Sequence, residues 1–191
     1  MRERQKAGKE IWWYSYTNDS VRKTPSFVID KPHIDSRAWG WLSEQWGVDG
    51  ILNWGFNAWS DTATGKHWRD PYQDPLSLVK GHTRSNGDTC LVYPGYYPPY
   101  GLDDPYAAPV SSLRLEALRD GLEEREYLRA AEAQGAEGRA LAARELNTIT
   151  QFPYKIRQAN VFDFPKYTSS NEVFDAAREA LAAFIEAHPT Q

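Results

Sequence analysis

The hydrophobic positions of this chain form short continuous runs in its first half and follow helical spacing in its second half. Four apolar runs bounded by turn-forming residues predict buried strands at residues 11–16, 27–30, 51–56 and 90–94. Because these runs do not alternate cleanly with polar residues, they favour a parallel sheet covered by helices on both faces. The pattern therefore predicts an α/β fold.

Apolar residues at spacings of three and four predict helices between and after these strands. One helix is expected from Asp35, as its cap, to Gly47, since glycine readily adopts the left-handed conformation that ends helices. Two more are predicted over residues 111–133 and 137–149. Ser169, followed three places later by Glu172, resembles a capping box and predicts a last helix.

Four strands alternating with helices correspond to half of an eight-stranded (β/α)8 barrel, a fold that typically needs about 250 residues. We predict a partial barrel over residues 1–133 and C-terminal helices that pack on it over residues 134–191. Half a barrel leaves two open strand edges. We therefore expect a missing N-terminal barrel portion, a partner such as a second copy, or a small open sheet.

Composition narrows the classes of function. The formal charge of −4, from 22 basic and 26 acidic residues without a block of like charge, argues against a nucleic-acid partner. No apolar stretch reaches the roughly 20 residues of a membrane span, and residues 1–6 lack the apolar region of a signal peptide. We expect a soluble chain that does not bind a membrane, and its compartment stays open.

The sequence gives no indication of a metal or a cofactor. The four histidines show neither metal-ligand spacing nor pairing with Cys90, the single cysteine. Neither a phosphate-binding glycine loop nor a Gly-x-Ser-x-Gly motif occurs. We expect no cofactor, and the absence of these motifs argues against a simple nucleotide-binding or serine-hydrolase function.

Aromatic and amide residues follow the third predicted strand. All eight tryptophans lie between Trp12 and Trp68. Flat indole rings pack against the C–H faces of a pyranose, and side-chain amides bind ring hydroxyls as donor and acceptor. The same rings are equally typical of a buried core. The predicted sugar-binding residues of this segment are Asn53, Trp54, Asn57 and Trp59.

Two further aromatic groups could complete such a site. The run from Tyr93 to Tyr100 contains prolines that restrict the backbone and tyrosines that offer rings and hydroxyls. Its alternatives are an ordinary surface loop or a polyproline-like segment for a partner. Tyr14, near the end of the first predicted strand, adds another possible wall.

Glycoside hydrolysis usually requires two carboxylates, and the candidates are numerous. Those on predicted loops are Asp61, Asp88, Asp103 and Asp104, and those on the long helix are Glu116, Asp120, Glu123 and Glu124. Because arginines such as Arg114 and Arg119 interleave the helical ones, ion pairs or a solvated face are the better interpretation for Arg114, Glu116, Arg119 and Asp120. The catalytic residues stay unassigned.

The order of these motifs resembles the C-terminal catalytic region of glycoside hydrolase family 123. The resemblance runs from about residue 8 to residue 133. It is carried first by Trp12-Trp13-Tyr14, by Arg37 with Trp39 and Trp46, and by residues 50–59. It continues through Asn86-Gly87-Asp88, Leu91-Val92-Tyr93-Pro94-Gly95, Ser112 with Arg114, Glu116, Arg119-Asp120-Gly121 and Glu126-Tyr127-Leu128.

This resemblance implies the C-terminal half of a TIM-type barrel and retaining hydrolysis of β-linked N-acetylgalactosamine, with the substrate's acetamido oxygen as nucleophile. In the family an adjacent Asp-Glu pair orients that group and protonates the leaving oxygen. The sequence contains no adjacent Asp-Glu pair. We therefore expect a sugar-binding part that is inactive alone. The alternatives are a non-catalytic carbohydrate-binding protein and a truncated remnant.

Overall fold

The computed structural model describes residues 2–15, 25–53, 55–59, 70–72, 86–87, 90–150 and 167–189. These residues form helices and short strands, which confirms the predicted α/β class. The helices are α1 (Arg2–Lys6), α2 (Ile34–Trp46), α3 (Leu113–Ala133), α4 (Ala136–Thr150) and α5 (Asn171–Ala187). The strands are β1 (Trp12–Ser15), β2 (Gly50–Asn53), β3 (Val92–Tyr93) and β4 (Val110–Ser111).

The predicted helices are all present, because each has enough residues for its spacing to identify a buried face. Helix α2 begins at Ile34, so Asp35 lies in its first turn and is not its cap. It ends at Trp46, directly before the predicted terminating residue Gly47, whose φ is 62°. The amide of Val48 then donates to the carbonyl of Ser43 at 2.8 Å, which satisfies one of the last carbonyls of the helix.

The predicted strand at residues 27–30 is wrong. Phe27 and Val28 are buried, but the segment is irregular. The amide of Val28 bonds the hydroxyl of Ser26 at 3.4 Å, and that of Ile29 bonds the carbonyl of Asn86 at 2.8 Å. A short apolar run indicates that a segment is buried, but a buried segment need not be a strand.

The described strands form two sheets of two strands each, β1 with β2 and β3 with β4. Strands β3 and β4 are antiparallel, with Val92 opposite Ser111 and Tyr93 opposite Val110. The pattern missed β4, because two residues are too few to show a period. These sheets do not confirm the predicted half barrel of about four parallel strands.

The chain divides into two compact units. The first comprises Met1–Trp12, Arg37–Gly50 and Leu118–Gln191. Its fully buried side chains include Val48, after α2, and, from helices α2 to α5, Trp41, Leu42, Leu128, Ile149, Phe174 and Leu181. Helices α2 and α3 approach closely at Gly40 and Gly121, because a Cβ at either glycine would overlap the backbone of the other helix.

The second unit comprises Trp13–Ser36 and Ile51–Ala117. Its described part is rich in loops, and its buried apolar residues include Phe27, Val28, Leu91 and Tyr97. None of the described helices is long and apolar enough to span a membrane. The predicted domain division at residue 133 stays a prediction.

Candidate functional site

The segment 55–59 of the second unit lies beside residues 90–92. The amides of Leu91 and Val92 both donate to the carbonyl of Phe56, at 2.9 and 3.0 Å. Asn57 forms an isolated antiparallel bridge with Cys90. The indole N–H of Trp59 donates to the carbonyl of Val92 at 3.0 Å. These bonds bring two of the predicted sugar-binding residues, Asn57 and Trp59, to the chain segment that leads into Tyr93.

Two other predicted binding residues, Tyr14 and Asn53, lie on β1 and β2, which pair in one sheet. The side-chain amide of Asn53 donates to the carbonyl of Gly55 at 2.7 Å, so one of its donors is used within its own turn. Tyr14 on β1 is exposed over 61% of its surface. Trp54 lies outside the described residues. The described hydrogen bonds therefore join the segment of Asn57 and Trp59 to the one that leads into Tyr93.

Arg114, at the start of α3, connects several backbone segments of the second unit. Its guanidinium is buried and donates to the carbonyls of Phe27, Gly87 and Cys90, the last two at 2.6 Å. It also donates to the hydroxyl of Tyr93 at 3.3 Å. A fixed planar fork suits this task, because each N–H direction is set by the guanidinium plane. Arg114 thus positions the backbone and the Tyr93 ring.

A tyrosine cluster lies next to Tyr93. The Tyr72 ring packs against the Tyr93 ring with centroids 5.0 Å apart and stacks on the Tyr97 ring at 4.7 Å. Its hydroxyl donates to the carbonyl of Pro94 at 2.8 Å, and the Tyr97 hydroxyl donates to Asp70. Burial raises the pKa of Tyr72, and the neighbouring Tyr93 and Asp70 raise it further. The Tyr72 ring therefore stays neutral at physiological pH, and the cluster offers aromatic faces.

A cavity of about 660 Å³ opens between these tyrosines and the start of α3. This volume is in the range of small-molecule sites, about 300–1,000 Å³. The polar and aromatic side chains that line it include Lys31, His33, Tyr72, Tyr93, Ser112 and Arg114. Of the predicted binding residues that the structure describes, only Tyr93 lines it.

The sequence analysis did not predict three of these lining residues, Lys31, His33 and Tyr72. Lys31 and His33 follow the irregular segment that was predicted as a strand, and Tyr72 follows Asp70-Pro71 in a region without an apolar period. The signal that could have identified the first two was their place directly after a buried apolar run. Nothing in the local pattern identifies Tyr72, which reaches the cavity through tertiary packing.

On helix α3, Arg119 lies close to two carboxylates. Arg119 lies 3.8 Å from Asp120 and 3.6 Å from Glu123 on an exposed face, and Glu116 is partly buried one turn earlier. Exposed pairs of this kind contribute little to stability. Asp61 and Asp88 lie outside the described residues.

A buried polar cluster occupies the first unit. Arg37 Nε lies 3.0 Å from each carboxylate oxygen of Glu124, and the indole N–H of Trp41 donates to the same carboxylate at 2.7 Å. Asp175 accepts from Arg37 at 2.8 Å. Burial lowers the pKa of Arg37, but the hydrogen bonds and charges of Glu124 and Asp175 outweigh it and leave the pKa raised. Arg37, Trp41 and Glu124 are buried and bonded to one another, whereas Asp175 is partly exposed, and this mutual bonding indicates a structural role.

The part of the chain that the structure describes contains no group of three or more His, Cys, Asp or Glu residues arranged to hold a metal ion. A family model described as "Glycoside hydrolase 123, catalytic domain" matches residues 1–131. No curated protein matches the chain significantly. The matched range contains the whole second unit, with its cavity and the segment 55–59.

Proposed function

Because the chain belongs to glycoside hydrolase family 123, we propose that it is the C-terminal part of a glycosidase that acts on β-N-acetylgalactosaminide-like glycans. In this proposal its short strands belong to half of a TIM-type barrel. An N-terminal barrel half or a second copy of the chain covers the open strand edges.

The cavity beside Tyr93 is the observation that carries the binding role. It joins aromatic faces from Tyr72 and Tyr93 with polar groups from Ser112 and Arg114, the combination that sugars require. Asn57 and Trp59 lie on the segment that is hydrogen-bonded to residues 90–92. We propose that Tyr14, Asn53, Trp54, Asn57, Trp59 and Tyr93 form the sugar-binding wall.

The chemistry is proposed to depend on residues that this sequence does not contain. In substrate-assisted hydrolysis the acetamido oxygen attacks the anomeric carbon, while an acid protonates the departing oxygen. No Asp or Glu is among the described residues that line the cavity, and the sequence has no adjacent Asp-Glu pair. The chain therefore binds and orients the sugar, and a separate segment supplies the acid.

A non-catalytic carbohydrate-binding protein is the second candidate, favoured by the same absence of a carboxylate from the described wall. Calorimetric titration of the chain with N-acetylgalactosamine, together with an assay on an aryl N-acetyl-hexosaminide, separates the two. Binding without hydrolysis by the chain alone supports the second candidate. Binding and hydrolysis only when an N-terminal half is added supports the first, and no binding in either state contradicts both.

Substituting a residue of the proposed sugar-binding wall tests whether the sugar binds there. In whichever state binds the sugar, Tyr93→Ala is expected to weaken binding about tenfold, because it removes an aromatic face that contacts the ligand and a partner of Arg114. Tyr106→Ala is the matched control, because that ring is 93% exposed and does not line the cavity. Equal affinities for the two variants would place the sugar elsewhere.

A further inference from the structure

The cavity of the second unit has a one-sided charge. Lys31 and His33 line it together with Arg114, and no carboxylate is among its described lining residues. The whole chain carries a formal charge of −4, whereas basic side chains predominate in this cavity. A cleft lined by one sign of charge concentrates ligands of the opposite sign.

Lys31 and His33 are available to a ligand. Neither side chain makes a hydrogen bond or an ion pair with any residue in the described ranges, and Lys31 is only partly exposed. The nearby carboxylates are occupied by other partners. Asp30 accepts from the backbone amide and the side-chain amide of Asn86, at 2.8 and 2.7 Å, and Asp70 accepts from the Tyr97 hydroxyl.

The remaining polar groups also favour an oxyanion. The Ser112 hydroxyl oxygen accepts from the amide of Leu115 at 3.2 Å, which leaves its O–H as a donor. Ser111 adds a second hydroxyl beside it on the wall. An ammonium group, an imidazole N–H and hydroxyl donors around one space match the acceptor oxygens of a carboxylate or a sulfate ester.

We propose that this cavity binds the acidic group, a carboxylate or a sulfate ester, of a charged saccharide. The proposal rests on the proposed sugar-binding function and names the substrate class of that site. Tyr72 and Tyr93 contact the sugar ring, and Lys31, His33 and the serine hydroxyls contact its anionic oxygens. Neutral N-acetylgalactosamine fills the same space without using the two basic side chains.

Calorimetry on the full chain, in the state that binds sugar, tests this with four probes: N-acetylgalactosamine, its 6-sulfate, glucuronate and inorganic sulfate. The sulfated sugar or glucuronate is expected to bind about tenfold tighter than the neutral sugar at low salt, and added salt is expected to reduce this advantage. The two charged sugars distinguish the sulfate source from the carboxylate source. Inorganic sulfate binding as tightly as the charged sugars would overturn the proposal, because the site would then recognise an anion alone.

The variant Lys31→Gln is expected to remove most of the preference for the charged sugar over the neutral sugar. Lys9→Gln, an exposed lysine of the first unit, is the matched control and should retain the preference. Equal binding of charged and neutral sugars by the unmodified chain overturns this inference alone. Absence of any sugar binding overturns the proposed function beneath it.

Discussion

At the residue scale, two neighbouring carboxylates of helix α3 show how one sequence pattern gives two outcomes. Glu124 is fully buried and is bonded by Arg37 and Trp41, whereas Glu123 is 63% exposed and faces Arg119 at 3.6 Å. Successive helical residues differ by about 100° around the axis, so they face different surroundings. Their contributions to stability should therefore differ strongly.

Glu124→Ala is expected to lower the free energy of unfolding by about 3–5 kcal/mol, because it leaves Arg37 as a buried charge with half of its partners. Glu123→Ala, the matched control one residue away, should change it by less than about 1 kcal/mol. Urea denaturation followed by circular dichroism measures both. A loss as small as that of Glu123→Ala would contradict the expected cost of leaving Arg37 buried without Glu124.

Local spacing on α3 accounts for one of these two contacts and not for the other. Alternating Arg and Glu residues predict ion pairs along a helix, and Arg119 with Glu123 is such a pair. Arg37 lies 87 residues before Glu124, so no helical spacing connects them. A long-range partner follows from the packing of α2 against α3, which the local pattern does not contain.

At the element scale, the start of α5 departs from the predicted capping box. Ser170, and not Ser169, is the cap, and its hydroxyl oxygen accepts from the amide of Val173 at 3.4 Å. Ser170→Ala is expected to lower the free energy of unfolding by about 1 kcal/mol. Ser169→Ala should stay within about 0.5 kcal/mol. Thermal denaturation of the two variants compares them directly, and the reverse order would restore the predicted cap.

The same cap makes part of this stability depend on pH. The Ser170 hydroxyl donates to Glu172 at 2.5 Å and lowers the pKa of that carboxyl. A lowered pKa stabilises the fold above the ordinary pKa of glutamate and loses this effect as the pH falls through the folded-state value. The difference between the Ser170→Ala and Ser169→Ala chains should shrink below about pH 4. A constant difference would mean that Glu172 takes no part in the cap.

The elements also differ in how far they could be predicted. Helices α2 to α5 are long enough for several turns of apolar spacing, so all four were found. Strand β4 has two residues, and the segment 27–30 has the apolar character of a strand without its pairing. A strand depends on a distant partner for its hydrogen bonds, and that partner is not encoded in the run itself.

At the scale of the whole molecule, the cavity shows what the sequence could and could not assemble. Tyr93 is predicted from the proline-restricted tyrosine run that it begins, and Asn57 and Trp59 because they follow the third predicted strand. Lys31, His33 and Tyr72 come from two other segments of the second unit and meet Tyr93 only in the folded chain. The local sequence predicts candidate binding residues, and tertiary packing determines which residues line the cavity.

The first unit combines residues from both sides of the predicted division at residue 133. Phe174 of α5 is fully buried, and its ring meets the Trp41 ring edge-on at 5.8 Å. Asp175 accepts from Arg37, and α4 packs on α5. The family match ends at residue 131, so these helices lie beyond it and still complete the core around Arg37 and Trp41.

Truncation at residue 133 is therefore expected to destabilise the family-matched region. The shortened chain would expose Trp41 and leave Arg37 without Asp175, and loss of the Phe174 side chain alone should cost about 3–5 kcal/mol. Urea denaturation, with near-ultraviolet circular dichroism reporting tryptophan packing, should show an earlier transition than in a control chain ending at residue 189. An unchanged transition would instead make residues 134–191 an independent domain, because a region whose core is complete loses nothing when its neighbour is removed.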